Sequence, residues 1–341
     1  MNAGASVSLA QVLADPRWFL AGLDGRAFNF AFTDHATLAA QPFLDRRWDR
    51  GTLAGFDVAV DELLARAPAA IPPTPVNILW HTGFCCSTLI ARLLDRPGRN
   101  LSLSEPQALT ALADARRAGA LPDWNTTMRA CQVVFHLLGR PLEDGAGVTI
   151  KPTPSSSCFL GEAAQLTAGR MLFLHSDCAS FVLSVHKLGE EGSGYVARAL
   201  QALTLDGLRP PRTERVAGLE AAAMAWHMQM AAYRSCATML GARAASLDCE
   251  VFLAQPRETL AGLDGFLALN LGHAHIDTVL DGPLFRRNVK DASRPFDAQR
   301  RRDEHDAARR ELGPALDDAV ARARAHFPDV TLPNPLMGVS T

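Results

Sequence analysis

Val76-Asn-Ile-Leu-Trp80, His81-Thr-Gly-Phe-Cys-Cys-Ser-Thr88 and Leu89-Ile-Ala-Arg-Leu-Leu94 follow one another without a break. The first is a short apolar run of strand type. The last has helical spacing, and Asp95-Arg-Pro-Gly98 stops it. The residues between them must turn the chain tightly. A turn of this kind leaves backbone N–H groups free to bind an anion, and the helix dipole adds favourable potential. Ser87 and Thr88 can donate hydroxyl hydrogen bonds, and Gly83 permits close backbone approach. The same residues can also be read as a serine N-cap on an ordinary helix. No Lys precedes Ser87, so the phosphate-loop pattern GxxxxGK[ST] is not matched. Cys85 and Cys86 are either reactive thiols at a helix start or small residues that fit a tight loop.

Further along the chain, Leu101-Ser-Leu-Ser-Glu-Pro106, Gly147-Val-Thr-Ile-Lys-Pro152, Met171-Leu-Phe-Leu-His175 and Arg243-Ala-Ala-Ser-Leu-Asp248 read as further strands. Helical patterns fill 108–118, 128–138, 178–188, 215–240 and 257–267, and a charged helix covers 299–326. Strands alternating with helices predict a three-layer α/β/α domain with a central parallel sheet. Ligands of such sheets sit at the carboxyl ends of the strands. His81–Thr88, Glu105, Lys151 and His175–Ser184 are expected at that edge. The domain is read as 76–330. Residues 1–75 form a mixed α/β extension of no assigned function, with a short helix at Leu9–Leu13, a strand at Arg26–Phe32 and a helix at Asp61–Arg66. Gly189-Glu-Glu-Gly-Ser-Gly194 reads as a loop, either a linker or a flap over a site.

A net charge of −2 removes any global pull toward nucleic acid or acidic membranes. The lysines are Lys151, Lys187 and Lys290 only, so a lysine at the end of a buried-type strand stands out. The seven cysteines form no CxxC pair, which argues against a disulfide framework or zinc site and for a reducing compartment. The first residues lack a secretory pattern, and no apolar run is long enough to span a membrane. The expected location is the cytoplasm.

The order of these elements resembles the sulfotransferases that use 3′-phosphoadenosine-5′-phosphosulfate (PAPS). Their first strand enters a loop like P-[KR]-S-G-[ST]-T-x-L, and Gly83-Phe-Cys-Cys-Ser-Thr-Leu89 stands in that frame. Ser104-Glu-Pro106 resembles an R-E-P or K-E-P triplet, and Lys151-Pro152 a K-x-P element. His175-Ser-Asp-Cys-Ala-Ser-Phe-Val-Leu-Ser184 is similar to a second nucleotide motif, R-x-P followed by a helical serine. Trp226, Leu247–Leu253 and Gln255–Leu269 continue the likeness, which covers about residues 76–270 and has a looser echo at Arg286–Lys290. Two positions depart from it. Phe84 stands where the family's loop has Lys or Arg, and Ser176 where the second motif has Arg.

The resemblance implies a phosphate-loop nucleotide-binding fold and transfer of a sulfuryl group from PAPS to a hydroxyl or amine of an acceptor, a small molecule, glycan or peptide. No metal is expected. Gly83, Phe84, Cys85, Cys86, Ser87 and Thr88 would cradle the 5′ end of the donor, with Lys151 in place of the missing loop cation. The alternative for Lys151 is a lysine snorkelling from a strand end. Glu105 is the implied general base, against a role as dipole partner of the following helix. His81 is a second base candidate or a satisfied core histidine. Ser176, Ser184, Arg286, Arg287 and Lys290 would hold the nucleotide, though charge runs are usually solvated faces. A kinase-like phosphotransferase would instead need a Lys before Ser87 and a magnesium-binding acid. A relative that binds nucleotide without catalysis would explain Phe84 and Ser176.

Overall fold

The computed structural model describes residues 7–121, 123–208, 217–286, 298–327 and 329–336. Its strands are β1 (Trp18–Asp24), β2 (Ala27–Phe32), β3 (Gly55–Ala59), β4 (Asn77–His81), β5 (Asn100–Ser104), β6 (Gly147–Lys151), β7 (Met171–His175) and β8 (Ala244–Asp248). The last five form one sheet in the order β5-β6-β4-β7-β8, and every pairing in it is parallel.

Alternation along the central strands makes three layers. Ile78 and Trp80 of β4, with Met171 and Phe173 of β7, join one apolar cluster with Ala223 and Tyr233 of the helix Gly218–Leu240. Leu79, Leu172 and Leu174 point the opposite way, into a second cluster with Leu89, Leu260 and Leu263. Both faces are therefore covered by helices, as runs of consecutive apolar residues demand. The protein is a mixed α/β molecule with a five-stranded parallel sheet between helices.

Because all five strands run the same way, their ends at His81, Ser104, Lys151, His175 and Asp248 share one edge. Register then sets the neighbours. Ser104 pairs with Lys151, so the next residue, Glu105, donates its N–H to the Lys151 carbonyl at 2.6 Å.

Between Trp18 and Ala59 the chain forms an antiparallel sheet in the order β1-β2-β3. Leu20, Phe28, Leu38 and Trp48 lie in the same apolar cluster as Leu103, Leu109 and Phe135. Gln107 fastens this sheet to the parallel one. Its side chain accepts from Leu23 N at 2.8 Å and donates to Leu23 O at 3.2 Å. Gly22 leaves the room, since a Cβ there would lie 2.1 Å from Gln107 Oε1.

Two sequence expectations change. Gly189–Gly194 is not a loop: the helix Glu190–Leu205 begins there. Gly189 turns the chain with φ 55°, and Gly192 packs so closely that a Cβ would meet the Val185 carbonyl at 2.0 Å. These glycines serve a close helix contact rather than a mobile segment. The charged tail is two helices, Ala298–Leu312 and Pro314–His326, broken at Gly313 with φ 53°. Strands β1 and β3 add elements that the sequence pattern did not single out.

Candidate functional site

The loop after β4 is wound tightly. Gly83, Phe84 and Cys86 all have positive φ, at 86°, 55° and 59°. Only glycine adopts this region without strain, so Phe84 and Cys86 are held there by their surroundings. Phe84 packs its ring against Tyr195, centroids 5.0 Å apart, and Phe181, at 5.7 Å. Tyr195 donates to the Thr82 carbonyl at 3.1 Å, and its hydroxyl oxygen lies 2.6 Å from where a Gly83 Cβ would be. The helix Glu190–Leu205 is thereby docked on the loop. His81 Nδ1 accepts from Gly83 N at 3.2 Å, so a neutral ring carries its proton on Nε2. The His81 carbonyl accepts from Tyr233 at 2.7 Å.

Cys85 lies in the second apolar cluster, and burial pushes its thiol up to about 11. The Cys86 thiol hydrogen-bonds Cys249, and that contact together with burial pushes the Cys249 thiol up. Burial thus favours neutral Cys85 and Cys249 thiols, which act as packing groups rather than nucleophiles.

A cavity of about 900 Å³ opens beside the loop. His81, Gly83, Phe84, Ser87, Thr88 and Glu105 line it. Lys151, with no exposed surface, meets Glu105 Oε1 at 2.6 Å. Glu105 itself has φ 55°, a left-handed conformation that costs a non-glycine residue about 1 kcal/mol or more. The chain around it is pinned. Leu44 N donates to Ser104 O at 2.7 Å, and Gln107 N donates to Leu44 O at 2.9 Å.

The same N-terminal segment adds Phe43, Asp45 and Arg47 to the cavity wall. Arg47 stacks on Phe43, 3.8 Å from its centroid. It is bound to Asp45 by Nε at 2.9 Å and Nη2 at 2.5 Å, and Nη2 lies 3.7 Å from Glu105 Oε2. Burial alone would raise Asp45, but the Arg47 hydrogen bonds outweigh it and hold the carboxyl below its usual range. Nothing in the sequence linked residues 43–47 to this cavity, because the link is the backbone contact of Leu44 with Ser104 and Gln107, about sixty residues away. The helix residues Tyr195 and Arg198, also in the wall, were hidden by the loop reading of Gly189–Gly194.

The other expected residues lie apart from this cavity. Ser176 has its side chain buried, and its carbonyl accepts from Trp226 Nε1 at 3.0 Å. Ser184 donates to Ser180 O at 2.9 Å and lies 3.1 Å from His305 Nε2. A smaller hollow beside it, about 300 Å³, is lined by Asp177, Ser180, Glu250, Arg301, Arg302 and His305. Arg286 ends the helix Pro283–Arg286, while Arg287 and Lys290 fall outside the described residues. Among the described residues no group of His, Cys, Asp or Glu is placed to hold a metal ion, and no helix is long and apolar enough to cross a membrane.

Two buried histidines give the fold a pH dependence. Burial, with Arg301 and Lys187 nearby, pushes His305 down to about 4. Burial and Arg324 push His227 down to about 4. Unfolded histidine titrates near ~6.5. Between these values only the unfolded chain takes up the proton, so stability falls as pH drops from ~6.5 toward 4, by about 1.4 kcal/mol per unit for each histidine. Urea unfolding at pH 6.5 and 5 should show that loss, and the double variant His227→Gln/His305→Gln should flatten it. An unchanged slope in the variant would contradict the assignment.

No family model matches the chain, and no curated protein does. The solved structures it is similar to include three sulfotransferases. One is the sulfotransferase domain from the curacin biosynthetic pathway (16% identity, 78% of this chain and 94% of that one, TM-score 0.43). Another is the sulfotransferase domain from the Synechococcus PCC 7002 olefin synthase (15%, 78% and 98%, TM-score 0.43). The third is a sulfotransferase from Alicyclobacillus acidocaldarius (14%, 76% and 97%, TM-score 0.37).

Proposed function

We propose that this chain is a sulfotransferase-like enzyme that moves a sulfuryl group from PAPS to a hydroxyl or amine of an acceptor held in the large cavity. The observation that carries the reading is Glu105, which lines the same cavity as the loop and is held at 2.6 Å by the fully buried Lys151 of the adjacent strand end. The cavity thus offers a carboxylate and loop hydroxyls, with a buried cation paired to the carboxylate.

The chemistry needs an in-line acceptor, a base, and charge stabilisation on the leaving phosphate. Glu105 takes the acceptor proton. The acceptor oxygen or nitrogen forms its bond to sulfur as the bond from sulfur to the phosphate oxygen breaks, and 3′-phosphoadenosine-5′-phosphate (PAP) leaves. Backbone N–H groups of Gly83–Thr88 and the hydroxyls of Ser87 and Thr88 hold the phosphate, and Lys151, buried against Glu105, adds positive potential in place of a loop cation. His81 holds Gly83 through its Nδ1 and shapes the loop. Ser180, Arg301 and Arg302 line the smaller hollow, where the 3′-phosphate end would sit, and Ser184 is hydrogen-bonded to Ser180 and His305 beside it.

Two features favour a second reading, a relative that binds nucleotide without catalysis. Phe84, in the position of the family's loop cation, is engaged with Tyr195 and Phe181, and Ser176 is buried. Release of PAP from PAPS, followed by chromatography in the presence of pooled alcohols, phenols and amines, separates the two. Release above the no-protein rate that is lost in Glu105→Gln is expected. Nucleotide binding with no release under any acceptor pool would favour the second reading.

A further inference from the structure

The loop has no cation of its own, so the positive charge that meets a ligand in the cavity must come from its walls. Among the described residues, the arginines lining it are Arg47, Arg117 and Arg198. Arg117 is committed. Its Nε and Nη2 bind the Asp206 carboxylate at 2.9 and 2.8 Å, Nη2 also donates to the Ser155 carbonyl, and only 9% of the side chain is exposed. Arg47 is committed to Asp45 and Glu105. Arg198 makes no hydrogen bond or ion pair with any described residue, and its side chain is exposed at the cavity.

Its position follows from the helix Glu190–Leu205. Residues three and four apart share a face, and Glu191, Tyr195, Arg198 and Ala202 all line the cavity. Tyr195, one turn before Arg198, is the residue that touches Thr82 and Gly83. Gly194, one turn back, gives the guanidinium space. A Cβ there would come within 3.3 Å of Arg198 Nη1. The fork therefore lies along the turn of helix that is docked on the loop. A planar guanidinium with all its donors unused suits a tetrahedral oxyanion.

We propose that Arg198 is the oxyanion-recognising residue of this cavity and binds the sulfuryl group that projects into it from the loop. This rests on the donor reading above. The other source of an oxyanion in the cavity, a carboxylate or phosphate on the acceptor, is separated by the test.

The test is calorimetric titration of wild type, Arg198→Ala and Arg198→Lys with PAPS and with PAP, which lacks the sulfuryl group. Arg26→Ala, on the distant β1–β2 turn, controls for general charge loss. Arg198→Ala should weaken PAPS by about tenfold, equivalent to about 1.4 kcal/mol, and leave PAP within about twofold. Arg198→Lys should recover part of the loss, and the thermal midpoint should stay at the wild-type value. Unchanged PAPS affinity would overturn the proposal and leave the acceptor as the only anion Arg198 could meet. Equal losses for both nucleotides would also overturn it, by moving the contact to the leaving phosphate. If wild type binds neither nucleotide, the donor reading fails on its own. Inorganic pyrophosphate then decides the residue's role: a tenfold loss in Arg198→Ala upholds oxyanion recognition, and equal curves overturn it.

Discussion

Glu105→Gln is expected to lower turnover by about 10²–10⁴-fold, the usual range for removing a general base. Glutamine keeps the shape of the side chain and an oxygen for the Lys151 ammonium now 2.6 Å away, but it cannot take the acceptor proton. PAP binding should survive, because in the proposed reaction Glu105 meets the acceptor rather than the phosphates. The variant must fold to be informative. Its backbone is held by the Glu105 N–H bond to Lys151 O and by the Leu44 bonds on either side, none of which uses the carboxylate. Wild-type turnover in a folded Glu105→Gln protein would remove Glu105 as the base.

The second large effect is on stability. Lys151 is wholly buried, and its ammonium is held by a carboxylate that is itself only 15% exposed. Breaking such a pair by removing one partner typically costs about 3–5 kcal/mol, because the other charge stays behind. Lys151→Met should therefore lower the unfolding free energy in urea by about 3 kcal/mol, with Arg47, 3.7 Å away, offsetting part of the orphaned charge. The double variant Glu105→Gln/Lys151→Met should be more stable than Lys151→Met alone, since no charge is then stranded. A Lys151→Met protein as stable as wild type would mean that the pair contributes nothing to the fold. Its turnover should also fall by at least about tenfold.

Much of the parallel sheet could be read from the chain because its signal is local. Asn77–His81 and Met171–His175 are apolar runs ended by polar residues, Gly147–Lys151 is a β-branched stretch ended by Lys and Pro, and strands buried on both faces look like that. The edge shared by His81, Glu105 and Lys151 then follows from parallel order alone. What local pattern could not supply is contact across the sequence. Phe43, Asp45 and Arg47 reach the cavity through the two backbone bonds of Leu44, and no residue type in 41–48 announces them. The glycines at 189, 192 and 194 misled in a physical way. They read as flexibility, but Gly192 admits the Val185 carbonyl and Gly194 makes room for Arg198. Ser184 fitted its motif in spacing, yet its hydroxyl is engaged by Ser180 and His305 within the protein, which spacing cannot foresee.

The nucleotide that the loop and its neighbouring cations accept decides the reaction. Calorimetric titration of the purified wild-type protein with PAP, PAPS and ATP–Mg²⁺ tests this most directly. Saturable binding of the two 3′-phosphorylated nucleotides, with ATP–Mg²⁺ much weaker, is the predicted result. Binding of ATP–Mg²⁺ alone, or of none of the three, would contradict it.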